Sequence, residues 1–103
     1  MTTSTFDCPV LLLIFNRPHT TEKVFERIKQ IQPKHLYVAA DGPRKDRPGD
    51  IENCKATRDV VLDKIDWPCE LKTLFHDENL GCGAGPVTAI NWFFDNVEDI
   101  FIV

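Results

Sequence analysis

The sequence predicts an α/β fold, a three-layer α/β/α domain on a four-stranded parallel sheet. Three observations lead there. Apolar runs of strand length alternate with helix-period segments in the order β-α-β-α-β-α-β, and such alternation implies parallel pairing through right-handed crossovers. The helix-to-strand links are short, at Gln32 to Lys34 and at Asp66 to Cys69. The links that follow the second and third strands are long, charged and rich in glycine.

The first strand is Cys8 to Phe15, an unbroken apolar run of the kind buried on both faces. After Asn16-Arg17-Pro18-His19 a helical pattern places Val24, Phe25, Ile28 and Ile31 on one side. Thr20 or Thr21 is the expected cap, Glu22 sits in the first turn, and Pro33 ends the helix. His35 to Ala40 is the second strand, and Asp41 to Gly49 is a loop by composition. Asp50 is the expected N-cap of a second helix with its stripe at Ile51, Cys54, Val61 and Ile65. Trp67-Pro68 breaks the chain, and Glu70 to Phe75 alternates as the third strand. The segment His76 to Pro86 is expected as a loop holding Gly81, Gly83 and Gly85. Val87, Ile90, Phe94 and Val97 mark the inner face of a third helix, and Ile100 to Val103 the fourth strand.

At 103 residues there is room for one domain, expected to occupy 8–103 behind a tail at 1–7. A hydrophobic share of 43% with 27% charged residues excludes a disordered chain. A formal charge of −4 argues against a nucleic-acid partner, which needs a basic surplus. The longest apolar run, Val10 to Phe15, is too short to cross a bilayer. Met1 to Asp7 has neither a basic residue nor an apolar stretch, so a signal peptide is not expected and a cytoplasmic location is. Cys8, Cys54, Cys69 and Cys82 form no C-x-x-C pair. Free thiols follow, with Cys54 and Cys69 serving as packing residues.

In an open α/β sheet, ligands bind beyond the carboxyl ends of the strands. The polar residues of the strand-to-helix links therefore converge on one edge: Asn16, Arg17, Asp41, Arg44, His76, Asp77, Asn79 and Gly81. The glycine loop is not a dinucleotide fingerprint, which belongs in the first strand-to-helix turn, and there is no Walker A sequence. Its glycines either permit a tight entry into the helix or turn backbone N–H groups toward an anion. Asp41 has two readings: an acceptor for the ring N–H of uracil or guanine, or an Asx-type turn residue in Asp-Gly-Pro. Arg17 and Arg44 bring positive charge of the kind a pyrophosphate requires, whereas Lys45 and Arg47 suit a solvated loop. His76-Asp77-Glu78 is not a metal cluster, because adjacent residues at a strand end point to opposite sides. No metal ligand set and no catalytic base stand out.

Taken in order, Pro9 to Pro18 (PVLLLIFNRP), Ala40-Asp41-Gly42 and Asn79-Leu80-Gly81 resemble the N-terminal half of family-two-like glycosyltransferases, the nucleotide-diphospho-sugar transferases of A-type fold. The resemblance implies that Phe15, of the aromatic-Asn pair Phe15-Asn16, contacts the nucleobase and that Asp41 binds it. It places Asn79 and Gly81 in the Asn-x-Gly ahead of the third helix, and implies strand order 3-2-1-4 with the first strand central. Phe15, Asn16, Arg17, Asp41, Gly42, Arg44, Asn79 and Gly81 are thus the expected substrate-binding residues. The implied partner is a UDP- or GDP-sugar used in polysaccharide or glycoconjugate synthesis. In that family an acidic motif after the fourth strand holds a divalent cation, Mn or Mg. Glu98-Asp99 precedes that strand, so no cation is expected to be held by these residues, and the chain is expected to be incomplete as an enzyme. The fourth strand, lacking its next neighbour, is an expected surface for self-association. The rival from another class is a non-catalytic α/β nucleotide-binding or interaction domain.

Overall fold

The computed structural model describes residues 9–96. Six elements follow one another: β1 (Val10–Ile14), α1 (Pro18–Ile31), β2 (His35–Ala40), α2 (Asp50–Lys64), β3 (Glu70–Phe75) and α3 (Gly81–Asn96). The strands form one parallel sheet in the order β1-β2-β3, with Val10 to Ile14 opposite Leu36 to Ala40 and His35 to Ala40 opposite Glu70 to Phe75. This corrects the expected four strands in order 3-2-1-4 to three among the described residues; Val97, Glu98-Asp99 and the expected strand Ile100 to Val103 lie outside them.

Among the described residues the strand with a neighbour on each side is β2; the fourth strand expected beside β1 lies outside them. Every residue from Leu36 to Ala40 is buried, because β2 has a strand on each side and helices over both faces. In β1 the apolar run continues, but Leu13 is 45% exposed. An all-apolar strand shows that both faces meet apolar layers, and it does not show how many strands lie beside it.

One face of the sheet carries Leu12, Ile14, Leu36, Val38 and Ala40 into a core with Phe25 and Ile28 of α1, Val61 of α2, and Trp67. Trp67 closes this core: its ring lies 5.8 Å from that of Phe25, and its buried Nε1 donates to the Pro33 carbonyl at 2.9 Å. Helices α1 and α2 pack against each other, with Lys64 held near Glu22 and Glu26 at their outer edge. The opposite face turns Tyr37 toward α3, where the rings of Trp92 and Phe93 meet it edge-on at 5.5 and 5.0 Å. The three-layer arrangement is thus present.

Local starts differ from the expected ones. Helix α1 begins at Pro18 with Arg17 at its N-cap and no side-chain cap, since proline at the first helical position is already set for the helix and needs no donor. Thr21 is inside the helix and buried, and Ile31 and Val24 are half-exposed. Helix α2 is capped by Gly49 (φ +86°), which makes Asp50 its first residue, with the side chain turned inward. Its buried positions are Asp50, Cys54, Thr57 and Val61, while Ile51 is 69% exposed. Helix α3 starts at Gly81, so the expected glycine loop is its first turns and Pro86 lies within it. Its inner face is Gly85, Ala89, Trp92 and Phe93, and the expected face of Val87, Ile90 and Phe94 is the exposed one. Small residues face the sheet here because the helix sits close to it.

Two substitutions check this packing. Phe25→Ala is expected to cost about 3–5 kcal/mol, the range for emptying a buried aromatic position. Val87→Ser is expected to change stability by no more than about 0.5 kcal/mol, as at an exposed site. Urea unfolding of both variants measures it, and a large loss from Val87→Ser would show that α3 is turned the other way.

Candidate functional site

All three strands end at the same edge of the sheet, and the chain leaving each of them is held there by specific bonds. After β2, the Asp41 N–H donates to the Ile14 carbonyl at the end of β1 at 3.2 Å, carrying the β1–β2 ladder one residue further. After β3, the His76 N–H does the same to the Ala40 carbonyl at 3.0 Å. Arg58 reaches up from α2 and donates through Nη2 to the carbonyls of both Asp41 (3.1 Å) and His76 (2.7 Å). Its guanidinium lies over the Phe75 ring, 4.8 Å from the centroid. One cation thus satisfies two strand-end carbonyls.

The Asp41 carboxylate ties the link after β2 to the link after β3. Its Oδ1 accepts from the N–H of Gly42 and the N–H of Leu80, both at 2.8 Å. Its Oδ2 accepts from Asn79 Nδ2 at 3.2 Å, and the same Asn79 amide donates to the Gly42 carbonyl at 3.0 Å. The Asx-type turn is not what forms, because the residue two positions on is Pro43, which has no N–H. Of the four acceptor positions on a carboxylate, one on Oδ2 remains. Two glycines allow this crowding. A Cβ on Gly42 would lie 2.6 Å from the Glu78 backbone, and one on Gly85 would lie 3.1 Å from Asp41 Oδ2.

A second carboxylate organises the other side. Asp50, 4% exposed, accepts from Arg44 Nε at 2.8 Å, from Arg44 Nη2 at 3.2 Å and from the Arg44 backbone N–H at 3.1 Å. Asn16 Nδ2, from the link after β1, donates to its Oδ1 at 3.1 Å. The Arg44 guanidinium in turn lies 5.4 Å from the centroid of the Phe15 ring. The side-chain hydrogen bond from Arg44 holds the Asp50 carboxyl well below the usual carboxylate range, against the opposing effect of burial. The backbone N–H of Arg44 and the Asn16 amide act in the same direction.

Between these two anchored groups opens a cleft of about 570 Å³, within the usual size of a small-molecule site. Phe15, Asn16, Arg17, Asp41, Arg44, Asn79 and Gly81 line it together. Gly42, expected among them, instead lies behind the cleft against Glu78. The apolar part of the lining includes Leu13, Val24 and Ala89. Two residues have roles here that the sequence reading missed. Asp50, the expected N-cap, is a buried acceptor within α2, and Arg58, which carried no expectation, bonds two strand-end carbonyls; a charged residue at a buried helix period is the one signal that could have found them. His76, one of the residues expected at this edge, lines the cleft, and its Nε2 is buried with no hydrogen-bond partner. Among the described residues there is no group of three or more His, Cys, Asp or Glu able to hold a metal ion. Cys54 and Cys69 are unpaired thiols, pushed up in pKa first by burial, and they pack rather than react. No helix of the described residues is long and apolar enough to cross a membrane.

No model of a known protein family matches the chain, and neither the curated proteins nor the solved structures give a significant match.

The Asp50 anchor has a pH signature. A carboxyl lowered in the folded state contributes stability that is fully present above its unfolded value of about 3.9 and is lost as pH falls through the folded value. The stability difference between the wild type and Asp50→Asn is therefore expected to be constant from about pH 7 to pH 5 and to shrink below about pH 4. Urea unfolding of both proteins across this range measures it. A difference that grows on acidification contradicts the assignment.

Proposed function

We propose that the chain is the nucleotide-binding half of a glycosyltransferase, holding a nucleotide-diphosphate sugar for transfer to a glycan or glycoconjugate acceptor. The observation that carries this reading is the convergence of Phe15, Asn16, Arg17, Asp41, Arg44, Asn79 and Gly81, from three separate links, on one cleft at the carboxyl edge of a parallel sheet. In the reading, the nucleobase lies against Phe15, and its ring N–H donates to the remaining acceptor position of Asp41 Oδ2. The diphosphate lies toward Arg17 and Arg44, with the first turn of α3 at the rim. The resemblance to family-two-like transferases supports the roles of Phe15 and Asp41, and the positive charge of Arg17 and Arg44 supports theirs.

In the whole enzyme an acceptor hydroxyl oxygen bonds to the anomeric carbon of the sugar as the bond to the nucleotide diphosphate breaks. The hydroxyl proton passes to a base, and the diphosphate leaves with both electrons of the broken bond. A divalent cation, Mn or Mg, belongs to that step by resemblance. The described carboxylates do not suit it: Asp50 has every acceptor position occupied and Asp41 all but one. No step here is assigned to a metal, and transfer is not assigned to the described residues.

One observation favours a second reading, a non-catalytic binding or interaction domain. Asp41 already makes three hydrogen bonds that serve the fold.

Calorimetric titration with UDP, GDP, CDP and TDP, with and without Mn or Mg, separates the two readings. The transferase reading expects UDP or GDP to bind, and Asp41→Asn to weaken that binding by about 1–3 kcal/mol, the worth of a hydrogen bond to a charged group. Absence of binding by all four nucleotides supports the interaction domain instead.

A further inference from the structure

We infer that Asp50 is a positioning residue, which fixes the guanidinium of Arg44 so that its outer edge meets the phosphate groups of the bound nucleotide. The inference rests on the nucleotide reading above and adds to it a residue and a division of labour.

The four hydrogen bonds to Asp50 use it up. Oδ1 accepts from Asn16 Nδ2 and Arg44 Nη2, and Oδ2 accepts from Arg44 Nε and the Arg44 backbone N–H. A carboxylate offers about four acceptor positions, so Asp50 has none left for a ligand and acts only through its partners. Its side chain is 5% exposed, against 37% for that of Arg44. The pair is therefore anchored at the carboxylate and open at the guanidinium.

The bonded edge of the guanidinium is the side edge, Nε with Nη2. Of its five N–H groups, this leaves the two on Nη1 and one on Nη2, and of these one N–H from each nitrogen lies parallel along the outer edge. The guanidinium carbon also lies over the Phe15 ring, 5.4 Å from its centroid, a cation–π contact that adds to the hold of the carboxylate. The direction of the free donors is thus set before a ligand arrives. A pair of parallel N–H groups on one edge matches two oxygens of a phosphate, which lysine, as a point charge, does not. Arg44 lines the cleft beside Arg17 and Phe15, so the same ring that steadies the arginine is the one that the base approaches. Fixing a flexible arginine in advance reduces the ordering cost of binding.

The test compares ligands with and without phosphate: uridine and UDP, guanosine and GDP, titrated into the wild type, Arg44→Lys, Asp50→Asn and the double variant at one ionic strength. The wild type is expected to bind a diphosphate more tightly than its nucleoside. Each single substitution is expected to weaken diphosphate binding about tenfold or more, as for a hydrogen bond to a charged group, and to leave nucleoside binding within about twofold. The double variant is expected to be no weaker than Arg44→Lys, since Asp50 acts only through Arg44. Equal losses for nucleoside and diphosphate in Asp50→Asn overturn the inference, as does diphosphate binding undiminished in Arg44→Lys.

Asp50→Asn can fail to fold, so a second measurement uses the wild type alone. The Arg44 guanidinium N–H resonances are expected to shift on addition of UDP and not of uridine; no shift with a UDP that binds overturns the inference. Wild type that binds nucleosides and diphosphates equally overturns the Arg44 assignment and leaves the base reading in place. Wild type that binds none of the four ligands overturns the nucleotide reading itself.

Discussion

The carboxylate of Asp41 is the constraint on which the upper edge of the molecule depends. Parallel strands linked through helices leave their carboxyl ends without hairpins to hold them, so the chain leaving each strand must be fixed by other bonds. Asp41 accepts from Gly42, Leu80 and Asn79, and thereby fastens the link after β2 to the start of α3. Arg58 works from beneath, on the carbonyls of Asp41 and His76. Remove the carboxylate and the N–H groups of Gly42 and Leu80 lose their acceptor, at a cost of about 1–3 kcal/mol for each that stays buried.

The two sides of the cleft are built on the same plan with different consequences. Each has an acidic residue near the end of a link, and each acid collects donors from two or more segments. Asp41 keeps an acceptor position open toward the cleft and can serve a ligand directly. Asp50 is filled, and its effect reaches the cleft only as the fixed orientation of Arg44. Placing a charged side chain inside a small domain is costly unless it is fully hydrogen-bonded. That makes the completeness of the Asp50 bonds a condition for the fold as well as for the site.

Much of this was legible in the residues. The alternation of apolar runs and helical periods gave three of the strands and all three helices, because both signals depend on local backbone geometry. Edge and centre were not legible. The run Val10 to Phe15 is more apolar than His35 to Ala40, yet among the described residues β2 is the strand with neighbours on both sides, since pairing is settled by the whole sheet. Helix faces failed where small residues do the packing. Val87, Ile90 and Phe94 form the more hydrophobic stripe of α3, but Gly85 and Ala89 face the sheet because they allow close approach. The site residues of the links were found from the rule that ligands meet strand carboxyl ends. Asp50 and Arg58 were hidden because a charge in a helix is ordinarily on its outer surface, and only tertiary partners distant in sequence reveal otherwise.

The central claim is that a nucleotide occupies the cleft at the carboxyl edge of the sheet. Backbone amide chemical-shift mapping of the isotope-labelled chain, titrated with UDP and then GDP, tests it directly. The account predicts that the shifts gather at Phe15, Asn16 and Arg17, at Asp41 to Arg44, and at His76 to Gly81, with little change at Val87, Ile90 and Phe94 on the outer face of α3. Shifts confined to that outer face, or saturating amounts of both nucleotides that move no amide, would contradict it.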